Sequence, residues 1–322
     1  MGSFANSIHV RADDSAGVVE AVSTVLLAKG YEPSDQAPHA DDWGIGGPLR
    51  AVRVSKPRDG WVSLLDSELL GIEALAGALS EHLGADVLTV AVNDSDNWVY
   101  TLFRSGELED AFDSMSEEDF LAYFDDDMAD ELGEMLDDGD VDGMQERLLE
   151  HMQQFHDRLA ELMPDEMRDI HERLQSAEPV DAAEMQRYED WTQSQMPRLV
   201  GQVNELLSEM FPGLTGETPL NHAAAAASSP PDEDELREHL PHLRPLLAPG
   251  VGDSQVIEAL SARSTFAEDD LRSFLPLLGI APIYADLSYR YLVEFTEREL
   301  AEEGVAMAED MMFELGAGGA PY

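Results

Sequence analysis

The chain has 322 residues, room for one large domain or two ordinary ones, and 43% hydrophobic residues are enough for a packed core. Its 67 Asp and Glu against 19 Lys and Arg leave a formal charge of -48, which repels phosphate backbones and anionic lipid and so excludes nucleic acid and polybasic membrane docking as expected roles. With no cysteine there is no disulfide, thiolate metal site or cysteine nucleophile; no apolar run approaches ~18 residues and the opening MGSFANSIHVRADD lacks a basic-then-apolar leader, so a soluble, cytoplasmic protein is expected.

The first region alternates strand and helix patterns. Ser7–Arg11 reads as a short strand, followed by N-cap candidates Asp13, Asp14 and Ser15. Val18, Val22, Val25 and Leu26 then share a helical face that Gly30 terminates. Leu49–Ser55 and Trp61–Leu65 are β-rich runs around a turn at Lys56-Pro57-Arg58-Asp59-Gly60. Ile72, Leu75, Ala76, Leu79 and Leu83 recur at helical spacing, and Val87–Val92 with Trp98–Phe103 form a last strand pair. The order β-α-β-β-α-β-β predicts an α+β domain over residues 1–115, a ferredoxin-like sandwich with an added edge strand, whose helices cover one sheet face and leave the other to a partner.

Charge changes sharply after this region. Residues 1–106 hold 15 acids and 7 basic residues, so the rest hold 52 and 12, and Glu107–Glu150 alone has 19 acids against the single base Arg147. From Ser116 to about residue 212 the period is helical, with Met128, Leu132, Met135 and Leu136 forming an apolar stripe inside the acidic segment. Residues 213–235 mix Pro, Gly, Ser and an alanine run, which reads as a linker. Residues 236–322 continue as shorter helices, at Leu236–Leu247, Ser254–Ser261, Glu268–Leu278 and Leu292–Leu300, so the C-terminal two-thirds is expected to be an all-helical module.

Several short motifs resemble a known group. They are Met1-Gly2-Ser3-Phe4, the helix carrying Leu79-Ser80, and the hairpin from Val87-Leu88 through Asn93-Asp94-Ser95-Asp96 to Tyr100 and Leu102. Gly106-Glu107-Leu108 with Asp110 comes next, and later Phe266-Ala267-Glu268, Leu277-Leu278-Gly279 and Tyr289. Together these are similar to landmarks of a widespread group of uncharacterised bacterial proteins. The acidic segment 117–235 departs from that pattern and looks like an insertion. The resemblance implies no catalytic residues and supports the domain plan alone.

The chemistry-bearing candidates are few. Asp138-Gly139-Asp140-Val141-Asp142-Gly143 matches the first half of a calcium loop, with Glu150 as the late carboxylate. Position 12 of that register is Leu149, where a bidentate Glu belongs, and the competing reading is a helix–helix turn capped by Asp142. Asp94-Ser95-Asp96 has the spacing of a metal-nucleotide acid pair, the basis for a metal-dependent enzyme alternative, yet no phosphate loop accompanies it and turn chemistry competes. Trp43-Gly44-Ile45-Gly46-Gly47 is glycine-rich without a following lysine or helix. His151 and His156 sit five apart, diverging by about 140° on a helix, and Pro241 separates His239 from His242, so neither pair reads as a zinc site.

The acid excess itself carries the functional expectation: a non-enzymatic protein–protein interaction module, an inhibitor, immunity-type or docking protein for a basic partner, using Asp125, Asp126, Asp127, Asp137 and Asp138 as its surface and no cofactor apart from a possible calcium ion. The rival account is a source-proteome bias, since the chain has only two lysines, Lys29 and Lys56, against seventeen arginines.

Overall fold

A computed structural model describes residues 4–36, 49–68, 72–93, 95–115, 126–138, 233–289 and 297–316, with residue 292 and scattered positions between 120 and 206. It divides into two compact units, residues 1–116 with 225–322, and residues 117–224.

The first unit is a large antiparallel sheet with helices. Its elements, in chain order, are β1 (Ala5–Arg11), α1 (Ser15–Ala28), β2 (Tyr31–Pro33), β3 (Leu49–Ser55), β4 (Trp61–Asp66), α2 (Ile72–Leu83), β5 (Asp86–Asn93), β6 (Asn97–Arg104) and β7 (Glu107–Asp113). Of the three N-cap candidates the structure uses Asp14, whose carboxylate accepts from the Ala16 and Gly17 amides. In α1 the residues Val18, Ala21, Val22, Val25 and Leu26 are buried, the i, i+3, i+4 spacing of one face. The β3–β4 turn narrows to Asp59-Gly60, with φ of 51° and 81°, between the paired Arg58 and Trp61. Positive φ at both central residues is the primed turn whose twist suits a hairpin, hence Asp-Gly.

The eight strands lie in the order β2-β8-β3-β4-β1-β5-β6-β7, three more strands than the sequence pattern predicts. Strand β7 was hidden in the acidic run, since ELEDAFD carries four acids. It forms because the Ser105-Gly106 turn folds it onto β6. Strand β8 (Met307–Leu315) corrects the expectation of an all-helical C-terminal two-thirds. MAEDMMFEL is rich in helix formers, but pairing along β3 from Leu49↔Glu314 to Ser55↔Met307 overrides local propensity.

Between β7 and β8 the described helices are α3 (Asp126–Asp138), α4 (Glu233–Glu238), α5 (Leu240–Leu243), α6 (Asp253–Leu260), α7 (Ala267–Phe274) and α8 (Glu297–Glu302), with 3-10 turns at Arg244–Leu246, Leu275–Leu278 and Pro282–Ala285. Of these, α4 to α8 belong to the first unit and settle a second expectation against the sequence reading. One sheet face, carrying Ile8, Val10, Val52, Val54, Val62 and Leu64, packs on α1 and α2 as expected. The other face was expected to stay open. Instead Trp61, Leu65, Leu88, Val90, Trp98, Tyr100 and Leu102 share a core with Leu240, Leu243, Leu271, Phe274, Leu275 and Leu278. Phe274 stacks on Tyr100 at 5.6 Å and 5°, and the Trp61 indole N–H donates to the Leu278 carbonyl at 2.7 Å. The warning lay in β5: Val87, Leu88, Val90 and Val92 put apolar side chains on both faces, the mark of a strand covered twice.

In the second unit, α3 buries Met128 and Leu132 and leaves Asp130 and Glu134 outward. Phe120 meets Phe124 edge-on at 5.3 Å, and Phe124 meets the His151 ring at 6.0 Å.

Candidate functional site

The sequence-derived candidates are scattered. Asp140 is exposed, and its Oδ1 accepts the Gly143 amide at 3.0 Å, so it caps the turn after α3 in the role expected of Asp142. Glu150 is exposed and lies 3.6 Å from Arg147. Asp138 ends the α3 backbone, its side chain undescribed, and Asp142 lies outside the described residues, as do Asp94, Asp125 and the 43–47 glycines. Among the described residues no group of three His, Asp or Glu is placed to hold a metal ion. Asp96 is exposed at the β5–β6 turn, and Ser95 before it has φ 64° and donates to Glu268 Oε1 at 2.6 Å. Asp126 and Asp127 open α3 and Asp137 and Asp138 close it, so four of the five proposed surface acids stand on one helix backbone.

Two polar constellations that no sequence motif announced lie in the first unit. The first is in the sheet centre. Period-two alternation in β1 turns Ser7 and His9 toward α7 and the turns after it, and register places Ser63 opposite His9. His9 Nε2 meets Ser7 Oγ at 2.9 Å and His9 Nδ1 meets Ser63 Oγ at 2.8 Å, while the Tyr284 ring packs edge-on against the imidazole at 5.0 Å. Tyr284 also hydrogen-bonds with Ser63 and Ser55, and the Ser63 amide donates to Ser55 Oγ at 2.8 Å. His9 has no exposed surface, and burial pushes its pKa down to about 3. The imidazole is therefore neutral at ordinary pH, with one nitrogen donating and the other accepting. Burial likewise raises the Tyr284 hydroxyl.

The second constellation ties α4 and α5 to the acidic strand β7. The Tyr100 hydroxyl donates to Asp110 Oδ2 at 2.7 Å, and His239 Nδ1 meets Asp110 Oδ1 at 2.8 Å. Burial first, then the Asp110 carboxylate, drives the Tyr100 pKa far above the ordinary phenol value. Next to it His242 Nδ1 meets Glu109 at 3.1 Å, and Arg104 bridges Glu109 at 2.6 Å and Asp86 at 2.8 Å. The two histidines thus meet separate carboxylates, Asp110 and Glu109, at the two ends of α5. The sequence signal for this arrangement was a histidine pair and an acidic pair, 129 residues apart for His239 and Asp110, with nothing local to join them.

Around these networks the outer surface is acidic. Glu107 on β7 and Glu233, Asp234, Glu235 and Glu238 on α4 are exposed, with Arg237 taking Glu233 and Asp234 at 2.5 Å each. Comparison with known proteins brings no outside assignment: no family model matches the chain, and neither a curated protein nor a solved structure does.

Proposed function

We propose that the chain is a non-enzymatic interaction module that docks a basic protein partner through α3, in the manner of an inhibitor or immunity protein. The observation that carries this reading is where the acids of α3 stand. Seven of its thirteen residues are Asp or Glu and none is basic. Asp130 and Glu134, four apart and both exposed, are a like-charge pair of the kind that destabilises a helix by roughly 0.2–0.5 kcal/mol. Asp137 and Asp138 close the helix with no base in its last turn, at the negative end of the helix dipole, where each adds a further ~0.3–1 kcal/mol of strain. Only Glu131 has a described basic partner, Arg147 at 2.7 Å. A helix that carries charge against its own stability gains it back from a cationic surface, and such a surface also accelerates encounter.

A ferredoxin-like core is part of the same reading, supported by the antiparallel run β3-β4-β1-β5 with α1 and α2 packed on its one face, to which β2, β6, β7 and β8 are additions. Among the described residues no helix is long and apolar enough to cross a membrane, which accords with a cytoplasmic setting.

The test is kinetic. A partner identified by cross-linking in the source cells should bind with an on-rate that falls steeply as salt rises from 10 to 300 mM. Changing Asp125, Asp126, Asp127, Asp137 and Asp138 to Asn should slow association at low salt while the circular dichroism stays unchanged. An on-rate identical in wild type and variant across the salt series would assign the acids to solvation and remove the proposal.

A further inference from the structure

The geometry points to a binding site for a phosphate dianion, free or as a phosphate monoester, at the mouth of the β3–β4 hairpin, where Lys56 and Arg58 stand over the hydroxyls of Ser55, Ser63 and Tyr284. A small cavity opens here, and of the residues lining it the charged ones are Lys56 and Arg58, both basic. That is against the odds in a chain with 67 acids and 19 bases. Arg11 lies outside this lining, its guanidinium 5.0 Å from the Trp61 ring that forms one wall and donating to the Asp59 carbonyl at 3.3 Å. Neither Lys56 nor Arg11 makes an ion pair among the described residues, and Arg58 has only the exposed Asp59 at 3.6 Å. Lys56 and Arg58 put two positive charges at the opening, the size of the negative charge of a phosphate group, about -1.5 to -2 at neutral pH.

The pocket floor is polar: Ser55 Oγ already donates to the Lys56 carbonyl at 3.1 Å and accepts the Ser63 amide at 2.8 Å, so the Ser63 and Tyr284 hydroxyls are the donors left for a ligand oxygen. Ser55, Ser63 and Tyr284 are each more than nine-tenths buried. Gly279 and Gly304, both at positive φ, bring turns close to the wall: a methyl on Gly304 would run into the Arg58 guanidinium, which already donates to the Glu303 carbonyl at 2.9 Å. The free volume is about 10 Å³, about one water-sized sphere. One phosphate oxygen enters; the others stay at the mouth with Lys56 and Arg58.

Behind the floor, His9 gives the site a reporter. Its Nδ1 faces Ser63 and its Nε2 faces Ser7. When Nδ1 carries the proton, it donates to Ser63 Oγ and frees the serine proton for an oxyanion in the cavity. When Nε2 carries it, Ser63 must donate to the imidazole instead and offers the cavity no proton. A bound anion therefore selects the Nδ1–H tautomer of an imidazole that stays neutral throughout.

The test uses the full chain at pH 7.5 and constant ionic strength. Replacing chloride by 10 mM inorganic phosphate should raise the melting temperature by roughly 3–5 °C, the shift a dissociation constant near 1 mM implies for a domain of this size. The His9 ring nitrogens should move toward the Nδ1–H pattern in a nitrogen-15 spectrum. Lys56→Gln with Arg58→Gln, both exposed positions, should abolish both changes. Glycerol phosphate binding as well as inorganic phosphate would identify a monoester ligand, and failure of the ester alone would identify the free ion. An equal melting shift in the double variant, or a His9 spectrum indifferent to phosphate, overturns the assignment.

Discussion

Acid should expose the strain of burying His9. Its pKa in the fold is about 3 against an ordinary 6.5, because burial removes the water that would solvate the imidazolium. Above pH 6.5 both folded and unfolded chains hold a neutral ring and the group contributes no pH dependence. Below it the unfolded chain takes up a proton that the folded chain refuses, so stability falls with pH by up to ~1.36 kcal/mol per unit until the folded pKa is reached. Between pH 7 and pH 5 the loss from this one residue is about 2 kcal/mol. That window lies above most carboxylate titrations, and the other histidines are cancelled by comparison with His9→Gln. The Gln variant keeps a donor and an acceptor for Ser7 and Ser63 but has nothing to titrate. Urea unfolding, followed by hydrogen exchange at β1 and β4 amides, should show wild type losing about 2 kcal/mol more than the variant over those two pH units. Parallel curves would mean that the ring is protonated or solvated in the fold, and would also remove the neutral reporter on which the phosphate site depends.

Two particular contacts set further outcomes. Arg50 and Asp66 form a fully buried pair, Nη2 to Oδ2 at 2.6 Å, so Arg50→Met should destabilise the first unit by roughly 3–5 kcal/mol in urea, and adding Asp66→Leu should recover most of it. Millimolar calcium should leave the melting temperature unchanged, since Asp140 caps a turn and Glu150 neighbours Arg147; a rise removed by Asp140→Ala would restore the calcium loop.

What was legible in the sequence was whatever local chemistry decides. The α1 face, the Asp59-Gly60 hairpin and the β5–β6 pair come from periodicity and turn residues, each within a window of fewer than twenty positions. What was illegible needed partners far away. Strand β8 is written in methionines and acids and becomes a strand only beside β3, more than 250 residues earlier in the chain. Tyr100, Asp110 and His239 look ordinary until the fold brings them together. The His9 cluster was half visible, because Ser7-x-His9 alternates in a strand, but its meaning required the register that sets Ser63 opposite. Leu88, Val90 and Val92 already pointed to a second covering layer, but the helices that supply it begin at Glu233, on the far side of the acidic segment.

That second layer makes a forecast about where the chain can be cut. A fragment ending at residue 115 would retain β1 to β7 but lose β8 and every side chain that covers Trp61, Leu65, Leu88, Val90, Val92, Trp98, Tyr100, Leu102 and Phe112. Nine large apolar groups returned to water, at about 1.5–3 kcal/mol each, amount to roughly 14–27 kcal/mol, comparable with or above the 5–15 kcal/mol by which a whole domain is ordinarily stable. The fragment should therefore fail to unfold cooperatively and should bind a hydrophobic dye. Excising residues 117–232 is a different matter. Asp110 and His239 are in hydrogen-bond contact at 2.8 Å, so the chain returns to the place it left, and a linker of about six residues spans the cut ends. The excised variant should give one sharp thermal transition with mixed α/β circular dichroism, and His9 should keep its low pKa. Should the 1–115 fragment instead melt cooperatively on its own, the C-terminal helices are an accessory to a sandwich already stable without them. The apolar face they cover would then regain its place as a candidate surface for a partner.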